Sequence, residues 1–248
     1  EISECLVGSE MCIRDRYFIS ISPFMLALYK QLIVQFYHLD DVQYVKTVKN
    51  RRINKKEAHG YMNSLEYENL LENKTHADPM FPYNTYLCSI PLDFNSVSLH
   101  WHEFMEIIYI KKGKGNVTVD FTTHYVEEGD IVIILPGHIH GISQHEGYSM
   151  EYENILFSVD MFRSRNHDSL DSEFFLPLLA GDVDIKSIYD RDDPLYPSLS
   201  ACLNRVDKLC SETPKGYHLA LKGCYFEFFY ILSVSYTHLR AHETLANL

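Results

Sequence analysis

The sequence predicts a mainly β domain followed by a pair of antiparallel helices. Two observations carry this. From 98 to 160 the chain breaks into short β-branched and aromatic runs separated by turn residues, the pattern of a sandwich or barrel. From 196 onward the apolar residues recur at intervals of three and four instead, the period of a helix face.

The strands follow in order. YLCSIPL (86–92) reads as a first strand, after an extended lead-in at 74–84 that carries Pro79 and Pro82. SLHWHEFMEIIYI (98–110) reads as one unbroken strand, with KKGKG (111–115) as the turn after it. NVTVDF (116–121) alternates, placing Val117, Val119 and Phe121 on one face. TTHYVEEGD (122–130) holds a strand fragment and a turn at Gly129, and IVIIL (131–135) is apolar enough to be covered on both faces. PGHIHG (136–141) breaks that run, and EYENILFSV (151–159) reads as a further strand. YPSLSACLNRVDKLCSE (196–212) is a helix, with Leu199, Cys202, Leu203, Val206 and Cys210 on one side and Ser198 as its cap. TPKG (213–216) interrupts it, and YHLALKGCYFEFFYILS (217–233) is a second, more apolar helix. The aromatic stripe Tyr225, Phe226, Phe228, Phe229 and Tyr230 reads as core and dimer surface, because so apolar a helix must be covered on more than one side.

Composition bounds the domain content. The 248 residues are 46% hydrophobic and 23% charged, ordinary for a globular chain. Both ends read as foreign to the fold. LVGSEMCIRDR (6–16) and VSYTHLRAHET (234–244) resemble translations of one sequencing-library adapter read on opposite strands. The expected organisation is an artefact at 1–16, upstream read-through or a disordered leader at 17–61, a barrel at 62–195, a helix pair at 196–233 and a second artefact at 234–248; the resemblance given below implies that the barrel is a sensor and the helices are for dimerisation. Translation is expected to begin at Met62. The apolar stretch 17–36 is interrupted by Pro23, Lys30 and Gln31, so no membrane span is expected.

Between 62 and 233 stand 12 Lys and Arg against 26 Asp and Glu, a net charge of −14. Nucleic-acid affinity rests on neutralising phosphates, so these residues are a poor DNA-binding surface by themselves. Cys88, Cys202, Cys210 and Cys224 have no metal spacing and read as reduced thiols of a cytoplasmic protein. The sequence holds no GxSxG elbow and no phosphate loop.

One constellation carries chemistry. His100, His102 and Glu106 have the same parity, so on an unbroken strand all three point one way. Gly129-Asp130 and Pro136 follow, with His140 positioned to complete the set and His138 as its loop alternative. Such groups in an apolar lumen must be paired, hydrated or metal-bound to offset their desolvation. Three imidazoles and a carboxylate suit Zn, Fe, Mn or Ni. Three readings stay open: a divalent metal in the barrel, a small ligand hydrogen-bonded by these side chains, and a purely structural polar cluster. Trp101 and Glu103 have the opposite parity and are expected to face away. His124 and His145 are expected to be solvated.

The two blocks, HWHEFMEIIYIKKGKGNVTV and EEGDIVIILPGHIHGI, resemble the paired motifs of the cupins. In this form they are similar to the sensor domain of the AraC family of bacterial regulators, over about 80–160, and the helices at 196–233 fit that family's dimerisation helices. The sequence departs from a metal-binding cupin at Phe94, where that motif has Gly, and at His140, one residue early after Pro136. The resemblance implies a cupin-like double-stranded β-helix, or jelly-roll, barrel followed by an antiparallel helix pair. It implies a non-enzymatic module that binds a small organic effector, a sugar or similar, through His100, His102, Glu106 and His140. It also implies a homodimer, and DNA binding only through a helix-turn-helix domain beyond residue 233. The rival readings are a metal-dependent cupin enzyme, a dioxygenase or isomerase, and a storage β-barrel without ligand.

Overall fold

The longest strand, β3 (Met105–Val119), organises the fold. The computed structural model describes residues 64–164, 168–180, 183 and 185–246, with side chains to Val234. The expectations for 1–16 and 17–61, including a start at Met62, lie outside the described residues.

Ahead of β3 come a short helix α1 (Ser64–Asn69) and strands β1 (Tyr83–Ile90) and β2 (Ser96–His100). After it come β4 (Thr122–Glu127), β5 (Ile131–Ile134), β6 (His140–Gln144) and β7 (Met150–Phe157). A helical turn α2 (Leu176–Ala180) and a short β8 (Ile188–Tyr189) lead into the helices α3 (Tyr196–Glu212) and α4 (Tyr217–Ala246).

All ladders between these strands are antiparallel. The first part of β3 pairs with β5 and β7, and these continue to β8 and β1. The second part pairs with β4 and β6, and β6 pairs with β2. One strand thus belongs to both sheets of a jelly-roll sandwich. The sheets meet across an aliphatic lumen: Ile90, Ile108, Ile110, Val132, Ile134 and Tyr152 from one, Val117, Val119, Val126 and Ile142 from the other. No ring of hydrogen-bonded strands closes among the described residues, so the predicted barrel is two sheets joined through β3.

The sequence placed a turn at KKGKG, whereas β3 runs straight through it. A bulge between Ile110 and Lys112 absorbs the irregularity. Gly113 has φ +74, and a Cβ there would lie 2.0 Å from the Ser149 carbonyl oxygen, so only glycine fits. The true turn is Asp120–Phe121, both at positive φ. The predicted strand 98–110 is likewise two strands: β2 ends at His100, and 102–104 form a bend before β3.

The four residues of β5 are all buried, as their continuous apolar run predicts. Alternation divides them: Val132 and Ile134 enter the lumen, and Ile131 and Ile133 enter a second core beneath the helices. That core receives Leu199, Cys202, Leu203 and Val206 from α3 and Leu221, Tyr225, Phe228, Phe229 and Leu232 from α4. Burying each large apolar side chain stabilises the fold by roughly 1.5–3 kcal/mol. Ser198 is not the cap of α3. The helix starts at Tyr196 behind Leu195, and Pro197 occupies its first turn, where a missing N–H costs nothing. Thr213, in the left-handed conformation, ends it. The backbone of α4 continues past 233 to Ala246. No described helix is long and apolar enough to cross a membrane.

Candidate functional site

The four residues singled out from the sequence meet at one end of the lumen. Their ligand atoms all lie within 4.8 Å of one another. His100 closes β2 and pairs across the ladder with His140, the first residue of β6. His102 sits in the bend between β2 and β3, and Glu106 points inward from β3. The two motif segments are tied by backbone: the Gly137 N–H donates to the His102 carbonyl at 2.8 Å. His102, Glu106 and His140 are buried, and His100 is half-buried. Convergence survives although the strand is broken, because the bend at 102–104 returns His102 to the same side.

Each imidazole is oriented by the backbone. Nδ1 of His100 faces the Ser98 carbonyl at 2.9 Å, that of His102 the Phe104 carbonyl at 3.1 Å, and that of His140 the His138 carbonyl at 2.9 Å. A carbonyl only accepts, so Nδ1 carries the proton and Nε2 is left for the centre. There Nε2 of His102 lies 2.8 Å and Nε2 of His140 3.1 Å from Oε2 of Glu106. An acceptor at both nitrogens requires a second proton on the ring or a cation shared with the carboxylate.

The electrostatics follow. Burial opposes charge on Glu106, but His140 and His102 outweigh it and hold the carboxyl well below its usual range. Burial also opposes charge on His140, and Glu106 raises it nonetheless. His100 is lowered, by burial first and by His140 second. The pull between Glu106 and His140 thus favours charge on both, while His100 is disfavoured as a cation. Three borderline nitrogen donors and one oxygen, with every Nδ1 fixed by a carbonyl, fit a divalent cation such as Zn, Fe, Mn or Ni.

His138 lies elsewhere, its Nδ1 2.6 Å from Oδ2 of Asp120, so His140 is the inward residue of the pair. Trp101 does face away from the centre, buried in a stack on Tyr67 at 4.5 Å, and Glu103 is exposed. His145, expected in solvent, is half-buried against Asn116 and the Tyr125 ring. His124 is half-buried too.

Sequence reasoning missed two groups. Glu72 and His76 border the centre, His76 from the segment read only as a lead-in and Glu72 from just ahead of it: Nε2 of His76 is 2.6 Å and Nε2 of His100 3.8 Å from Oε2 of Glu72. Tyr86, Cys88, Tyr152 and Asn154 line the lumen, shown by the pairing of Tyr86 and Ile108 with Asn154 and of Cys88 with Tyr152. Oδ1 of Asn154 is buried without a hydrogen-bond partner. Burial pushes the Cys88 thiol up to about 11, which makes it a poor nucleophile. Alternation in EYENILF put Asn154 and Tyr152 on one face, but only the ladder register says which face is the lumen.

An antiparallel sandwich with a buried His–Glu centre at one end of its lumen and helices packed outside defines a ligand-binding domain of the cupin class. The family model described as the AraC-like ligand binding domain matches residues 92–222, more than half of the chain. The chain belongs to that family. Among solved structures it is similar to a cupin protein from Bacteroides fragilis, at 21% identity over 34% of this chain and 71% of that chain, with a TM-score of 0.30. A Cupin 2 conserved barrel domain protein from Salinispora arenicola is 19% identical over 32% of this chain and 66% of its own length, with a TM-score of 0.29. A DMSP lyase from Ruegeria pomeroyi is 17% identical over 32% of this chain and 39% of its own length, with a TM-score of 0.28. No curated protein matches the chain.

Proposed function

We propose that these residues are the effector-sensing and dimerisation domain of an AraC-type bacterial transcription regulator that contacts DNA through a helix-turn-helix domain beyond residue 233. The observation that carries this reading is the enclosed polar centre, inside a domain of the AraC-like ligand-binding family. A small organic effector, a sugar or similar, enters the lumen and hydrogen-bonds His100, His102, Glu106 and His140. Its differential affinity for two arrangements of the domain shifts their populations. The shift passes through β3, whose other face packs on the helices. A homodimer is supported by α4, where Leu219, Phe226 and Tyr230 recur on one exposed side. The acidic charge argues against DNA contact by these residues and fits contact through another domain, and a cytoplasmic location would accompany that role.

Thermal shift of the chain against sugars and aromatic acids tests this. A ligand that binds only the native state at a hundredfold its Kd adds about 2.7 kcal/mol of stability. The His100→Ala/His102→Ala variant is expected to lose that gain. Silence across a broad panel sinks the reading and favours a ligand-free barrel.

A second reading, a metal-dependent cupin dioxygenase or isomerase, is favoured by one ligand atom from each of three imidazoles and a carboxylate lying within 4.8 Å of one another. His100, His102, Glu106 and His140 would hold the ion, with the carbonyls of Ser98, Phe104 and His138 fixing the imidazoles. A bound cation would supply Lewis-acid polarisation of an oxygen ligand. Stoichiometric metal with turnover, both lost in the double variant, moves the assignment to this reading.

A further inference from the structure

The inner wall of the lumen formed by β1 and β7 carries polar side chains that the His–Glu centre does not use. Strand register gives their order. Asn84, Leu156 and Glu106 lie side by side across β1, β7 and β3. Tyr86, Asn154 and Ile108 form the next row, and Cys88, Tyr152 and Ile110 the one after. Ile108, Ile110 and Tyr152 belong to the lumen cluster, which places all three rows on the inner face. Most of the polar groups here are already paired. Nδ2 of Asn84 donates to the His76 carbonyl at 2.7 Å and to the Tyr86 hydroxyl at 2.8 Å. The Tyr86 hydroxyl donates to the His76 carbonyl at 3.2 Å, and the Cys88 thiol is paired with the Tyr152 hydroxyl. Oδ1 of Asn154, by contrast, is buried and has no hydrogen-bond partner. Asn154 is flanked by β1 on one side and β3 on the other, yet it is only half-buried, whereas Ile108 and Tyr152 beside it are closed off. Solvent therefore reaches the inner wall at this residue.

We propose that Asn154 is a specificity-determining residue of the effector pocket, that its carboxamide hydrogen-bonds a hydroxyl of the effector, and that the effector is a neutral polyhydroxylated molecule reaching from Asn154 to the His–Glu centre. This rests on the sensor reading and adds a second anchor to it.

A buried oxygen without a partner costs the fold its desolvation, so its presence in an otherwise paired wall needs a cause other than packing. A carboxamide offers two donors and an acceptor and turns about a broad terminal torsion, so it matches a hydroxyl in either sense. Asn154 and Glu106 are diagonal neighbours on adjacent strands, roughly 7–8 Å apart at the backbone, a span that one small molecule bridges. Charge favours a neutral molecule, because the inner face of β1, of β7 and of β3 up to Ile110 carries no lysine or arginine to pair with an anion. The exposed Lys74, its Nζ 5.5 Å from the centre of the Tyr86 ring, is the cation that an acid would use instead. An acid is therefore the contrasting probe.

The test uses the full chain, with D-glucose, D-xylose and myo-inositol as neutral probes and benzoate as the acid. Without a probe, Asn154→Leu is expected to unfold at a urea midpoint no lower than that of the wild type, since leucine leaves no oxygen unpaired. At least one neutral probe is expected to raise the Tm of the wild type saturably. Asn154→Leu should then need about tenfold more of that probe for the same shift, the loss of one hydrogen bond. Asn154→Ala, which adds no bulk to the lumen, carries the same contrast if leucine does not fit. A lower urea midpoint in both variants assigns the amide to structure and overturns the proposal, as do equal probe curves in the wild type and the variants. Benzoate binding without any response to the neutral probes overturns it while leaving the sensor reading standing. Silence from all four also overturns it, and the wider ligand panel then decides the sensor reading separately.

Discussion

The two faces of β3 are neighbours in sequence and opposites in use. Met105, Ile107 and Tyr109 enter the core beneath the helices, which the chain closes with its own side chains. Glu106, Ile108 and Ile110 enter the lumen, where a buried carboxylate, three histidines and an unpartnered Asn154 oxygen accompany the aliphatic groups. The helix-side face keeps its charges at the edge, in the Lys111–Glu153–Asp207 cluster, while the lumen face carries a carboxylate and imidazoles at its centre. Stability and recognition are therefore separable by mutation at adjacent positions.

The largest effect is expected on the helix side. Phe157 is fully buried, with ring centroids 4.6 Å from Tyr225 and 5.7 Å from Phe162. Phe157→Ala should cost about 3–5 kcal/mol in urea unfolding, while effector affinity, measured where the variant is folded, stays unchanged. Lost affinity in the folded variant would break the division between the faces. On the lumen side, Glu106→Gln should cost less, about 1–3 kcal/mol, yet remove effector binding in the thermal-shift assay. A Glu106→Gln cost larger than that of Phe157→Ala would assign the centre to structure instead.

A smaller effect sharpens the comparison at the helix contact. Burial first, and Asp207 second, push the Glu153 carboxyl up to about 7 against the opposing pull of Lys111. The folded state then binds the proton more tightly than the unfolded chain, whose carboxyl has its ordinary value of 4.5. This contribution is fully present below pH 4.5 and is lost as the pH rises through about 7. Unfolding free energies across that window should fall in the wild type and flatten in Glu153→Gln. The smallest effect is at the outer wall, where the Tyr67 hydroxyl donates to the Gly137 carbonyl at 2.7 Å. Tyr67→Phe should cost about 0.5–1.5 kcal/mol. The Trp101 emission of the folded variant should be unchanged, because the ring stack persists.

The sequence was informative where burial acts on periodicity. IVII read as a doubly covered strand and is one, and the α3 face of Leu199, Cys202, Leu203 and Val206 was legible residue by residue. The site was legible as a set, His100, His102, Glu106 and His140, but its stated geometry was not. Parity assumed a continuous strand, and the chain bends at 102–104. KKGKG misled for a related reason: glycine and lysine signal a turn, while here Gly113 serves a bulge pressed against Ser149. Glu72 and His76 gave no periodic signal at all, since only the tertiary bond of Glu72 to Trp101 brings the pair beside the centre.

The ion cluster at the foot of α3 has a mechanical meaning. Nζ of Lys111 lies 2.6 Å from Asp207 on the helix and 2.9 Å from Glu153 on the sheet, above the Tyr109 ring at 4.0 Å. One residue of helical travel is about 1.5 Å, enough to part such a contact. Lys111 therefore pins α3 to the sheet at a single point, and a shift of the helix by one residue would break that tie.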